Sequence, residues 1–117
     1  MIVTPTGETL GAAVEGLDLS RPLTQREADQ VLQALARHAV LRFPRQELTA
    51  QQLAEFSARF GELEINVANA YQEPGLPQVM ILSNIVENGK PTGLADAGQG
   101  WHTDMSYSKV IAFANVL

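Results

Sequence analysis

Two residues near the C-terminal end could do chemistry together. They sit in the stretch Trp101-His102-Thr103-Asp104. A His and a carboxylate at this spacing can supply two legs of a mononuclear iron site. Non-haem Fe(II) oxygenases hold iron through two His and one carboxylate, and leave the other positions open for cosubstrate and oxygen. In an extended chain, residues i and i+2 project to one face. His102 and Asp104 can therefore clasp one ion from a single strand end, with Thr103 turned away. The spacing alone leaves a second reading open, a surface turn whose His and Asp bind nothing, because a short motif means something only in its structural context.

Composition narrows that context. The 117 residues suffice for one small domain. Formal net charge is -5, without a cluster of Lys and Arg, so the basic footprint of a nucleic-acid binder is missing. There is no Cys, which excludes disulfides and thiolate metal sites and fits a reducing cytoplasm. Met1-Ile2-Val3-Thr4-Pro5 has neither the basic region nor the apolar stretch of a secretory signal. No apolar run approaches membrane-spanning length. The expectation is a cytoplasmic protein with no nucleic-acid and no membrane partner.

Several elements must position the motif. Residues 2–19 read as extended structure, with a strand near 10–15 and a tight bend near Gly16. Thr24-Gln25-Arg26-Glu27 has the form of a capping box, and Thr49-Ala50-Gln51-Gln52 repeats it. These predict helices over 24–37 and 49–60. Ala28, Val31, Leu32 and Leu35 share one face of the first; Leu53, Phe56 and Phe60 form the apolar stripe of the second. Gly61 is a natural stop for that helix. Leu23 before the first cap and the pair Leu48/Leu53 at the second could staple the helix entries.

Between the helices, 39–43 reads as a short strand closed by Pro44. His38 before it is a structural residue at a helix end rather than a ligand. Residues 62–78 carry loop signals. The run 79–86 is apolar enough for a strand buried on both faces. Asn88-Gly89 marks a turn, and the glycines over 89–100 suggest a mobile loop that leads into the motif. They lack a phosphate-binding spacing. A last strand is expected over 110–116.

In this order, the pieces resemble the N-terminal part of the taurine dioxygenase-like family of Fe(II)- and 2-oxoglutarate-dependent enzymes. Gly16-Leu17-Asp18-Leu19-Ser20 with Pro22-Leu23 is similar to the family's opening. Arg37-His38-Ala39-Val40-Leu41-Arg42-Phe43 resembles its first core strand, Phe60-Gly61-Glu62-Leu63 its second helix end, and Trp101-His102-Thr103-Asp104 its iron motif. The resemblance runs from about residue 10 to the end.

The resemblance implies an α+β fold: the N-terminal portion of a double-stranded β-helix, or jelly roll, with two flanking helices. Residues 1–117 would form a single incomplete domain. Members oxidatively decarboxylate 2-oxoglutarate to succinate and hydroxylate a C–H bond of a small organic substrate. Fe(II) is then the cofactor, 2-oxoglutarate the cosubstrate, and molecular oxygen the oxidant. His102 and Asp104 would be metal ligands, and Trp101 a packing residue that fixes the motif. Where taurine-specific members carry a His and a Tyr for the sulfonate, this chain has Asn66 and Asn69. The Asn such members place four before the iron His is here Gly98. The taurine site is not carried over. Asn66, Asn69, Met105 and, at the end of a predicted strand, Asn84 are candidate substrate-binding residues.

The family's third ligand, a His, and its Arg for the distal carboxylate of 2-oxoglutarate come later in the fold. Residues 105–117 contain neither His nor Arg. These residues alone are therefore expected to be inactive, and the apolar edge of 110–117 makes a homo-oligomer an expected partner. Two other readings stand beside the oxygenase: a non-catalytic truncated fragment, and a metal-binding jelly-roll module without oxygenase chemistry.

Overall fold

A computed structural model describes residues 1–66 and 69–117, with Asn69 described by its backbone alone. The chain forms two compact units, Met1–Gly61 and Glu62–Leu117.

In the first unit, β1 (Ile2–Pro5) runs antiparallel to β2 (Ala12–Glu15), and β2 pairs in parallel with β3 (Leu41–Arg42). A parallel pair needs a crossover, commonly a helix, and α1 (Gln25–His38) lies between β2 and β3 in the chain. Both capping boxes form. The Thr24 side chain accepts from the Glu27 amide, and the Glu27 carboxylate accepts from the Thr24 backbone N–H at 2.8 Å. Thr49 and Gln52 repeat the exchange at the start of α2 (Ala50–Ala58). Each box satisfies two amides that a helix start leaves without partners.

The predicted strand over 39–43 shortens to two residues. Ala39 takes φ 61° as the cap of α1, which breaks the extended path just before β3. The core of this unit gathers Val14, Leu17, Leu19, Leu23, Val31 and Phe56, with Leu41, Phe43, Leu48 and Phe60 against it. Phe56 meets Phe43 and Phe60 edge-on, at centroid distances of 5.6 and 5.2 Å, a favoured geometry for ring quadrupoles. The Gln46 amide ties the connecting segments: its Oε1 accepts from Leu19 N at 3.0 Å and its Nε2 donates to the Leu17 carbonyl at 3.1 Å.

The second unit is built from short hairpins. A 3-10 turn (Asn69–Tyr71) leads into β4 (Gln72–Glu73), which pairs antiparallel with β5 (Leu76–Met80). β6 (Val86–Glu87) and β7 (Lys90–Pro91) pair across Asn88-Gly89. Both turn residues have positive φ, 51° and 74°, as a type I′ hairpin turn requires.

Three expectations are corrected here. The strand over 79–86 is not continuous: β5 ends at Met80, and Leu82, Ile85 and Val86 are 45, 58 and 60% exposed. The path is shared between β5, an isolated bridge and β6, none of which has a described strand on both sides. The glycine-rich segment is ordered over its first half. Leu82 bridges Leu94, and the Leu94 amide donates to the Ile81 carbonyl at 2.9 Å. Gly93 permits this: a Cβ there would stand 2.7 Å from the Ile81 oxygen. The strand over 110–116 does not form. A strand exists only through a ladder, and no described strand pairs with these residues, which leaves Val110, Ile111 and Phe113 exposed.

Among the described residues, no helix is long and apolar enough to cross a membrane. The mixture of helices and strands agrees with an α+β reading.

Candidate metal centre

Residues 95–98 form a turn in which the Gln99 amide donates to Asp96 at 3.1 Å. The chain then passes through Gly98 and Gly100, both at positive φ, and His102 and Asp104 follow. They do not stand at a strand end as expected. His102 lies in coil, and Asp104 opens the turn 104–107. The bend still turns their side chains to one place. His102 Nε2 and Asp104 Oδ1 are 3.3 Å apart.

The His102 Nδ1 lies 3.0 Å from the Gly100 carbonyl oxygen. A carbonyl only accepts, so Nδ1 carries the hydrogen and donates. In neutral imidazole, the Nε2 lone pair then faces a carboxylate oxygen. Two acceptors at this distance repel one another unless a proton, as in an imidazolium–carboxylate ion pair, or a metal cation stands between them. Ligands about 2.1 Å from a divalent ion and at right angles to one another lie about 3 Å apart. The pair fits the bite of one first-row metal ion. The Gly100 contact is of the kind that fixes the tautomer of metal-bound His.

The rest of the carboxylate is also engaged. Asn115 Nδ2 donates to Asp104 Oδ2 in a short hydrogen bond. Met105, next to Asp104, takes φ 56°, a conformation sparsely populated by residues with a Cβ. Its carbonyl accepts from Ser108 N at 2.9 Å, and its Sδ accepts from the Tyr107 hydroxyl at 3.4 Å.

The other predicted site residues are placed differently. Met105 is half-buried next to Asp104. Asn66 is exposed in coil. Asn84 is exposed in the connection between the Leu82 bridge and β6, so it does not end a buried strand. The side chain of Asn69 lies outside the described residues. Trp101 is the clearest correction. It does not pack under the motif: it is fully exposed, at 107%, and no described side chain covers it. Among the described residues, no group of three His, Cys, Asp or Glu could hold a metal ion. His102 and Asp104 are the two candidate ligands among the described residues. Sequence reasoning missed Gly100 and Asn115. Gly100 was legible as a carbonyl two before the His, whereas Asn115 lies eleven residues past Asp104.

A His and a carboxylate 3.3 Å apart are a pair of the kind through which mononuclear non-haem metal proteins hold an ion. The family described as taurine catabolism dioxygenase TauD, TfdA matches residues 3–117, and the chain belongs to it. It is 32% identical over 110 residues to pentalenolactone F synthase from Streptomyces arenae, covering 92% of this chain and 37% of the relative. It is 31% identical over 121 residues to (S)-phenoxypropionate/alpha-ketoglutarate-dioxygenase from Delftia acidovorans, covering 94% and 38%.

Among solved structures, it is similar to AAD-2 in complex with Mn(II) and N-oxalylglycine. The TM-score is 0.55 at 34% identity, over 57% of this chain and 27% of that one. A taurine dioxygenase from Burkholderia xenovorans matches with a TM-score of 0.54 at 41% identity, over 55% and 24%. The chain thus spans little more than a third of the length of these curated relatives.

Proposed function

We propose that these residues are the N-terminal part of the catalytic domain of an Fe(II)- and 2-oxoglutarate-dependent dioxygenase that hydroxylates a small organic substrate. The domain is a double-stranded β-helix, completed by the part of the family's length that these 117 residues do not span. The observation that carries the reading is the 3.3 Å approach of His102 Nε2 to Asp104 Oδ1, with Nδ1 anchored on Gly100.

The two side chains would hold the iron, which when bound supplies the site for oxygen activation and for chelation by 2-oxoglutarate. The third ligand and the cation for the distal carboxylate of 2-oxoglutarate are assigned to the unspanned part. Asn66, Asn69, Asn84 and Met105 are the substrate-side candidates, with Met105 favoured by its place beside Asp104. The substrate is a small molecule other than taurine, because neutral Asn amides stand where a sulfonate needs strong donors. The absence of Cys supports a cytoplasmic location.

The test is succinate formation from 2-oxoglutarate by the whole protein, loaded anaerobically with Fe(II) and then given oxygen. Activity that requires Fe(II) and disappears in His102→Ala and Asp104→Ala supports the proposal. Iron-independent turnover, or turnover that survives both substitutions, overturns it. A whole protein that binds metal through this pair but never consumes 2-oxoglutarate would favour the metal-binding module instead.

A further inference from the structure

We infer that Asn115 is a positioning residue for the metal centre: it holds the Asp104 carboxylate to one coordinating oxygen. The inference rests on the reading of His102 and Asp104 as ligands. The two oxygens of Asp104 face different partners. Oδ1 faces His102 Nε2 at 3.3 Å, and Oδ2 accepts from Asn115 Nδ2. An ionised carboxylate only accepts, so the amide must present its NH2 group, and its orientation is fixed.

A carboxylate can bind an ion through one oxygen or two. The second mode would consume a coordination position. This chemistry needs those positions, because oxygen and a bidentate cosubstrate must share what the protein ligands leave. A donor on Oδ2 removes that oxygen from competition, and a hydrogen bond to a charged acceptor is among the stronger ones. The same bond stops the carboxylate rotating about its Cβ–Cγ axis, which keeps Oδ1 aimed at the ion. Asn115 also reaches Asp104 from outside the turn 104–107, so it ties the segment after the turn to the ligand.

The test uses the whole protein and Co(II) as a spectroscopic probe in place of Fe(II). Native protein, Asn115→Ala, Asn115→Gln and His102→Ala are titrated with Co(II), with the visible absorption followed. Asn115→Ala is expected to bind about 10–100-fold more weakly and to change the intensity of the visible bands, which report coordination number. Asn115→Gln, which keeps the amide donor, is expected to recover part of both.

An Asn115→Ala protein with native affinity and native bands overturns the inference while leaving the ligand assignment intact. Unchanged binding in His102→Ala overturns the ligand assignment, and the inference with it. A second measurement needs no substitution. In the infrared difference spectrum between metal-loaded and metal-free native protein, a wide splitting of the carboxylate stretches marks one-oxygen binding and supports the inference. A narrow splitting marks two-oxygen binding and overturns it.

Discussion

Gly98 lies against the ring of His102: a Cβ added at Gly98 would stand 3.1 Å from His102 Cε1. Its φ of 73° is in the left-handed region, which costs a residue with a Cβ about 1 kcal/mol or more. Both terms act on the position of His102, the proposed metal ligand. Gly98→Ala is therefore expected to push the imidazole off its line to Asp104 and to weaken Co(II) or Fe(II) binding several-fold. Far-UV circular dichroism should stay the same, since the helices belong to the other unit. Metal titration of the variant checks this; native affinity would show that the ring has room to move.

Glu27 predicts an acid dependence of the first unit. Its carboxyl is lowered from the ordinary 4.5 to about 2, chiefly by the Arg21 guanidinium, and further by the backbone N–H and hydroxyl of Thr24. Arg21 Nη2 lies 2.6 Å from Glu27 Oε1. A carboxyl whose pKa is lower in the folded chain favours folding above its unfolded value and loses that contribution as pH falls through its folded value. The window thus runs from about 4.5 down to about 2. The group is exposed, so the effect is small. Glu27→Gln should lower the urea midpoint near neutral pH and converge with the native protein near the bottom of the window. A difference that stays constant across the window would contradict this origin.

Two substitutions separate local from tertiary stability in the same unit. Thr49→Ala removes the side-chain acceptor for the Gln52 amide, and loss of such a cap costs about 1 kcal/mol. Phe56→Ala removes a ring that is 6% exposed and in edge contact with two others. That is expected to cost about 3–5 kcal/mol. Denaturant unfolding of the two variants should rank them in that order. The reverse rank would mean that α2 is held by its cap rather than by its stripe.

The helices were legible in the sequence because their signals are local. Each start is written in four residues, and each buried stripe falls within one element, so both boxes formed and the helix ends moved by only one or two residues. The hairpin at Asn88-Gly89 was legible for the same reason. Strands fared worse because a strand is a relation between segments. Residues 110–116 have the composition of one and lack a described neighbour, and 79–86 has the apolarity of a buried strand but only short, separate pairings along it. In the site, His102 and Asp104 were legible from an offset of two. Asn115 was not, since nothing in an Asn marks a partner eleven residues back. Trp101 was misplaced because a large aromatic side chain is normally buried.

Taurine is expected to be a poor substrate of the whole protein. The reason lies in Asn66 and Asn69, neutral amides at the positions where taurine-specific members are expected to carry a His and a Tyr. Gly98, which carries no side chain, stands where they are expected to have an Asn. The two donors expected to hold a charged head group are thus replaced by neutral amides. Oxygen uptake should be compared between taurine and a panel of carboxylates, aryloxy acids and alkyl sulfates. Uptake fastest with taurine would reject the argument.

The last expectation concerns the exposed apolar residues beyond the site. Val110, Ile111, Phe113 and Leu117 are 76, 69, 70 and 99% exposed, and Trp101 stands fully exposed close by in sequence. Single exposed apolar residues are ordinary on a protein surface, but a run of them in one short segment is an association hazard. No described strand pairs with this segment, and a segment without a strand partner can take up a strand from another molecule. The 117-residue polypeptide, prepared by itself, should therefore self-associate in a concentration-dependent way. Ile111→Lys together with Phe113→Lys should suppress this, since a charge on the pairing segment opposes edge-to-edge contact. Light scattering across a dilution series gives the measurement. A monomeric native polypeptide at every concentration would show that the segment is protected. Association unaffected by both lysines would place the contact elsewhere on the chain.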